Sequence, residues 1–197
     1  MPEERAGHLT FGTANNPYKF SAELVALWAK AMTQVPDSRF LLIRPEGGSA
    51  AFRKNIGDAF EEHGVAAGRI DFEPVRGTHL PHYNRIDIAL DSCPHTGGTT
   101  TCESLWMGVP TVTLIGPSFF ERLSYSNLSN AGLGDLCART REQYVEIAAK
   151  LAADRPRRAA LRQGLRAQIR AHPLGQAQRW VRNFEDAAAR AVAAVSQ

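Results

Sequence analysis

Between Asp91 and Pro110 the chain reads DSCPHTGGTTTCESLWMGVP, and the order of residue types describes an anion site. Gly97 and Gly98 carry no Cβ, so backbone N–H groups there can come close to a ligand. Thr99, Thr100 and Thr101 add short hydroxyl donors. The helical pattern from Cys102 to Met107 turns its free N–H groups and positive dipole end toward the same place. A tight strand-to-helix turn capped by threonine would satisfy the same spacing without a ligand. The segment is neither G-x-G-x-x-G nor a Walker A loop, because the lysine and its spacing are missing. Glu103 is expected on the first turn of this helix, where a carboxylate interacts favourably with the dipole. Ionised, it is acceptor-only and suits the hydroxyls of a ribose, which lie near the phosphates of a nucleotide. His95, beside the glycine turn, is close enough to such a ligand to matter.

Two further clusters carry chemistry. Asn15-Asn16-Pro17-Tyr18-Lys19 follows the first predicted strand. Lys19 there could neutralise a diphosphate as a mobile point charge, or serve as an ordinary surface lysine. Asn16 reads as a turn residue or a ligand contact. In His79-Leu80-Pro81-His82-Tyr83, a histidine could stack on a base or bond a phosphate, or have no role at all. His8, His63 and His172 stand alone and are read as having none.

Elements of two kinds must position these groups. Strands are predicted at His8–Thr13, Arg39–Arg44, Arg69–Val75, Ile86–Asp91 and Pro110–Ile115. Ser21–Val35 carries Leu24, Leu27, Trp28, Ala31 and Val35 at helical spacing, with Ser21 as N-cap. Ser49–His63 is a second helix, closed by Gly64. This alternation implies β-α-β units and a Rossmann-like, mostly parallel sheet flanked by helices. In such a sheet, loops after strands one and four face one crevice. No strong strand signal follows Phe119. Helices are predicted at Glu142–Ala153, Arg155–Ala171 and Gln176–Val195. The expectation is one domain over 1–197, with an α/β core at 8–140 and a helical tail at 141–197.

Composition narrows the class. Of 197 residues, 44% are hydrophobic and the net charge is only +3, which excludes disorder as the dominant state. No window approaches the roughly 18 uninterrupted apolar residues of a membrane span. No apolar leader follows Met1, and the odd count of three cysteines fits neither a disulfide framework nor a zinc site; a cytoplasmic setting is expected. Arg158, Arg162, Arg166 and Arg170 are four apart on one helix. Without aromatic interleaving they are read as a solvated basic face rather than a nucleic-acid surface.

The clusters, in this order, resemble the C-terminal half of the O-linked N-acetylglucosamine transferase family, above all its bacterial and plant SPINDLY-type branch. FGTANNPYK (Phe11–Lys19), PDSR, RIDFEPV, IDIALD and GGTTTCESLWMGVPTVTL (Gly97–Leu114) carry the likeness. NAGLGDLCA, EQYVEIAAKLAAD and the last helix with Trp180 extend it over nearly the whole chain. The resemblance implies one half of a fold type B glycosyltransferase that binds a nucleotide-sugar. It carries Asn16 onto an amide near the diphosphate, and Lys19 onto the phosphate-binding lysine that helps the leaving group depart. It places His79 against the base with His82 nearby, Thr99 and Thr100 on the diphosphate, and Glu103 on the ribose. Animal members have a histidine where this chain has Gly98. SPINDLY-like members have a tyrosine near His95.

The implied reaction moves a sugar, UDP-GlcNAc being the expected donor, onto a Ser or Thr hydroxyl of an acceptor protein. No metal or cofactor is expected beyond that co-substrate. A GDP-sugar such as GDP-fucose is the alternative donor, and a non-catalytic nucleotide-binding module the alternative role. The family's N-terminal catalytic half and tetratricopeptide repeats are expected as a separate, missing part.

Overall fold

The run Phe40–Ile43 is apolar at every position because both of its faces are covered, as the inner strands of parallel sheets require. In the computed structural model, which describes residues 1–195, this run belongs to β2 (Arg39–Ile43). A short helix α1 (Pro2–Ala6) precedes β1 (Thr10–Thr13) and α2 (Ala22–Thr33). After β2 come α3 (Ala50–Glu61), β3 (Ile70–Glu73), β4 (Ile88–Leu90) and α4 (Thr99–Trp106). The chain continues through β5 (Thr111–Leu114), α5 (Leu123–Asn130), β6 (Cys137–Ala138), α6 (Arg141–Ala153), α7 (Arg155–Ala171) and α8 (Ala177–Val195). All six strands lie parallel in one sheet, in the order β3-β2-β1-β4-β5-β6. The direction of winding reverses between β1 and β4.

Alternate strand residues build two cores. Phe11, Phe40, Leu42, Ile88 and Leu90 join Leu24, Leu27 and Trp28 of α2 and Tyr144 and Ala148 of α6. Leu41, Ile43 and Ala89 point the other way, toward Tyr83, Ile86 and Val109. Ser21 Oγ accepts from Leu24 N (3.2 Å) and starts α2. Gly64, at φ +80°, adopts the left-handed turn that lets Val65 N return to Phe60 O after α3. Between β3 and β4 the connection is a 3-10 turn, Leu80–Arg85, with no α-helix.

Three expectations change. A strand does follow Phe119: β6, two residues long, pairs with β5 at the sheet edge. Its shortness leaves no alternating pattern to read. The glycine-turn helix starts at Thr99, not Cys102, so Glu103 lies in its second turn. The arginine row of α7 is a solvated face only in its second half: Arg166 and Arg170 are exposed, Arg162 is half-buried and Arg158 is buried. Arg158 is 3% exposed and donates to the carbonyl oxygens of Leu151 and Ala152 and to Glu3. Arg162 donates to Met107 O (2.9 Å), Ile86 O (2.7 Å) and Tyr83 O (3.3 Å). Arg166 donates to Trp106 O (2.6 Å) and, with Arg170, lies over the Trp106 ring. These guanidinium groups satisfy carbonyls left open where α4, α6 and the 3-10 turn end.

The last helix differs from the others. None of the residues of α8 is buried, and Trp180 and Phe184 stack on each other in the open (ring centroids 5.3 Å apart). Among the described residues no helix is long and apolar enough to cross a membrane.

Candidate functional site

The loops after β1 and β4 meet where the sheet order reverses, the place where open parallel sheets bind ligands. One buried carboxylate organises both loops. Asp91, which follows β4, accepts from Ser92 N (2.9 Å), Gly97 N (2.9 Å) and Asn15 Nδ2 (3.1 Å) through Oδ1, and from Thr113 Oγ1 (2.7 Å) through Oδ2. Burial pushes its pKa up against the pull of these donors. The Asp91 carbonyl accepts from Trp28 Nε1 (3.2 Å) and Tyr144 Oη (3.0 Å), so α2 and α6 hold the same point.

Lys19 closes the crevice. Its ammonium donates to Asn15 Oδ1 (3.2 Å) and to Thr96 O (3.1 Å), joining the β1 loop to the glycine turn. Burial lowers its pKa, opposed by the charge of Asp91. Gly97 allows the turn to form this tightly: a Cβ there would lie 2.5 Å from Thr101 Oγ1. The first bond of α4 runs from Cys102 N to Gly98 O (3.3 Å), so the amides of Thr99, Thr100 and Thr101 precede any intrahelical partner. Thr101 is buried and bonds Ser124 Oγ (2.6 Å), which removes it from the donor set. Thr100 lines a narrow recess with Ala14, Asn15, Tyr83 and Asp91. Thr99 and Gly98 line a groove of about 520 Å³ with Cys102, Phe119, Arg122 and Leu123.

His79 and Glu103, 24 residues apart in sequence, are joined: His79 Nε2 donates to Glu103 Oε2 at 2.9 Å. Beyond Glu103, an apolar recess of about 400 Å³ opens between α4 and the end of α7, walled by Leu80, Trp106 and Leu174. His95 sits edge-on to Tyr18 (5.9 Å) and Phe120 (5.8 Å), forming an aromatic rim beside the Lys19–Thr96 bridge.

Two expected residues have local partners of their own. Asn16 Oδ1 accepts from Tyr18 N (3.3 Å) and caps the following turn. His82 faces Glu73 (3.7 Å), which also binds Arg85. Sequence reasoning passed over Asn15 and Asp91. The available signal was a charged residue closing an apolar strand directly before a glycine turn. Burial pushes the Cys93 thiol up to about 11 and raises Cys102, which disfavours the thiolate form of both. Among the described residues, no three His, Cys, Asp or Glu side chains are grouped as a metal ion would need. A recess at the opposite end of the sheet, lined by Arg5, His8, Arg39 and Arg85, is remote from these loops.

The all-parallel, reversed-order sheet flanked by helices is the fold that fold type B glycosyltransferases share. WaaG, a glycosyltransferase involved in lipopolysaccharide biosynthesis, shares this fold over 88% of the chain and 46% of its own (TM-score 0.62, 15% identity). The sequence model of glycosyl transferase family 41 matches residues 3–184, and the chain belongs to that family. An O-GlcNAc transferase mutant from Thermobaculum terrenum superimposes with a TM-score of 0.85 at 37% identity, over 93% of this chain and 36% of that one. The probable UDP-N-acetylglucosamine–peptide N-acetylglucosaminyltransferase SPINDLY of Petunia hybrida is 35% identical over 182 residues, 91% of this chain and 20% of the relative. The chain thus spans about a fifth of the curated relatives it matches.

Proposed function

We propose that the chain binds the nucleoside diphosphate end of a nucleotide-sugar in the β1/β4 crevice and serves as the donor half of a protein O-glycosyltransferase. Sugar would pass from the nucleotide to a Ser or Thr hydroxyl of an acceptor protein, breaking the bond to the diphosphate oxygen and leaving negative charge there. Lys19, Gly98, Thr99 and Thr100 would meet that charge with an ammonium, amides and hydroxyls fixed before the reaction, the most effective form of such stabilisation. Glu103 would accept from the ribose hydroxyls, with His79 and His82 on the base side, and Asn16 and His95 near the diphosphate and sugar. The general base and much of the acceptor cleft would come from a catalytic half outside these residues. UDP-GlcNAc is the donor proposed first, because the SPINDLY and O-GlcNAc transferase relatives are named for GlcNAc. GDP-fucose is the alternative donor.

The observation that carries this reading is the Lys19 ammonium bonded across the crevice to Thr96 O, three residues before the open amides of α4. Calorimetry of the chain with UDP, GDP and UDP-GlcNAc tests it. Binding of UDP that falls about tenfold or more in Lys19→Ala is expected, since an ammonium–phosphate contact is lost. Preference for GDP would move the donor to a GDP-sugar. Binding without transfer to any acceptor, even when the longer polypeptide is supplied, would make the chain a non-catalytic module. No binding to any nucleotide would overturn the reading.

A further inference from the structure

We propose that Asn15 is the positioning residue for the Lys19 ammonium, with the Asp91 carboxylate fixing which way the Asn15 amide points. The inference rests on the donor-site reading for its functional consequence, but its geometry stands on the chain's own contacts. Asn15 is 3% exposed. Its Nδ2 donates to Asp91 Oδ1 (3.1 Å) and Thr13 Oγ1 (3.2 Å). A carboxylate only accepts, so the amide has one workable orientation, with Nδ2 toward Asp91 and Oδ1 toward Lys19. Lys19 Nζ then finds a fixed acceptor at 3.2 Å and a second in Thr96 O at 3.1 Å. Two of the three ammonium donors are committed, and the third is held for an anion in the crevice.

The same carboxylate oxygen accepts from Gly97 N (2.9 Å), which sets the glycine turn. Asp91 therefore locks both walls of the crevice, and Asn15 transmits that lock to the Lys19 ammonium between them. A lysine carries four rotatable bonds and loses much of its rotamer freedom when it binds. Anchoring it beforehand removes that cost from ligand binding.

The test is a pair of variants, Asn15→Ala and Asn15→Ser. The serine hydroxyl ends about where the Asn15 amide carbon lies, too short to reach Lys19, but it keeps a polar group in the buried site, so the readout stays open if Asn15→Ala fails to fold. The chain has four lysines, Lys19, Lys30, Lys54 and Lys150, so 13Cε-lysine NMR resolves Lys19 directly. In wild type its titration midpoint should lie below that of the exposed lysines. In Asn15→Ser it should move up toward the ordinary lysine value as the ammonium swings into water. UDP binding should weaken about tenfold in parallel, while UMP, which lacks the second phosphate, loses less. A wild-type midpoint retained in both variants would overturn the proposal, whatever the thermal stability does. A midpoint that moves in a chain whose wild type binds no nucleotide would support the positioning role and sink the donor-site reading instead.

Discussion

Gly97 and Gly98 are neighbours with opposite steric demands. A Cβ on Gly97 would lie 2.5 Å from Thr101 Oγ1 and 3.1 Å from Asp91 Oδ1, against groups held by their own hydrogen bonds. A Cβ on Gly98 would meet nothing nearer than Leu123 Cδ1 at 3.9 Å. Gly97→Ala should therefore cost about 1–3 kcal/mol of stability, as overpacking does, and Gly98→Ala no more than about 0.5 kcal/mol. Urea midpoints of the two variants check this, and equal losses would contradict it. The sequence marked the glycine pair as a close-approach turn. It held no sign of which glycine was crowded, because the crowding atoms come from Asp91 and from Thr101, whose bond to Ser124 forms across 23 residues. Likewise, Asn15 and Asn16 are identical in type, and only the fold sends one inward to Asp91 and the other to a local turn.

Elements were the most legible scale. The helical stripe of α2, the apolar run of β2 and the β-branched run of β5 follow from period and propensity, and each lies within a residue or two of its expected bounds. The row of arginines on α7 was legible as a row but not in its surroundings. Charge at four-residue spacing reads as a wet face, yet the carbonyls at the ends of α4, α6 and the 3-10 turn converge on it from distant parts of the chain. Arg162→Ala should cost about 3 kcal/mol, because it strips a half-buried cation from three carbonyl oxygens. Arg170→Ala loses its contact with the Trp106 ring and should cost less than about 1 kcal/mol. Chemical denaturation ranks the two; a larger loss at Arg170 would refute the carbonyl-capping role. Gly108 adds to the same junction, since at φ +76° a Cβ would lie 2.6 Å from Arg162 O.

At the scale of the whole molecule, one buried acid ties stability to pH. The folded pKa of Asp91 is raised by burial above its unfolded value of about 3.9. Between those two values the native state binds more protons than the unfolded one. The Asp91 contribution to stability is therefore present at low pH and lost as pH rises through the folded value. Asp87 is also raised by burial, but it is common to wild type and variant and cancels in a comparison. The unfolding free energy of wild type minus that of Asp91→Asn should fall as pH rises above about 4. A difference that stays flat or grows would show that the donors on Asp91, rather than its desolvation, govern its ionisation.

Period, propensity and turn chemistry were enough to determine that this chain forms a parallel sheet with a glycine-threonine turn after its fourth strand, because those signals act within a few residues of each other. The family followed from the same local motifs. Tertiary structure alone decided that the turn hangs on a buried carboxylate, that Lys19 is bonded across the crevice, that His79 meets Glu103 and that the arginines cap carbonyls. Each of these joins groups far apart in the chain, and their meeting depends on strand order and crossover geometry, which no local pattern records.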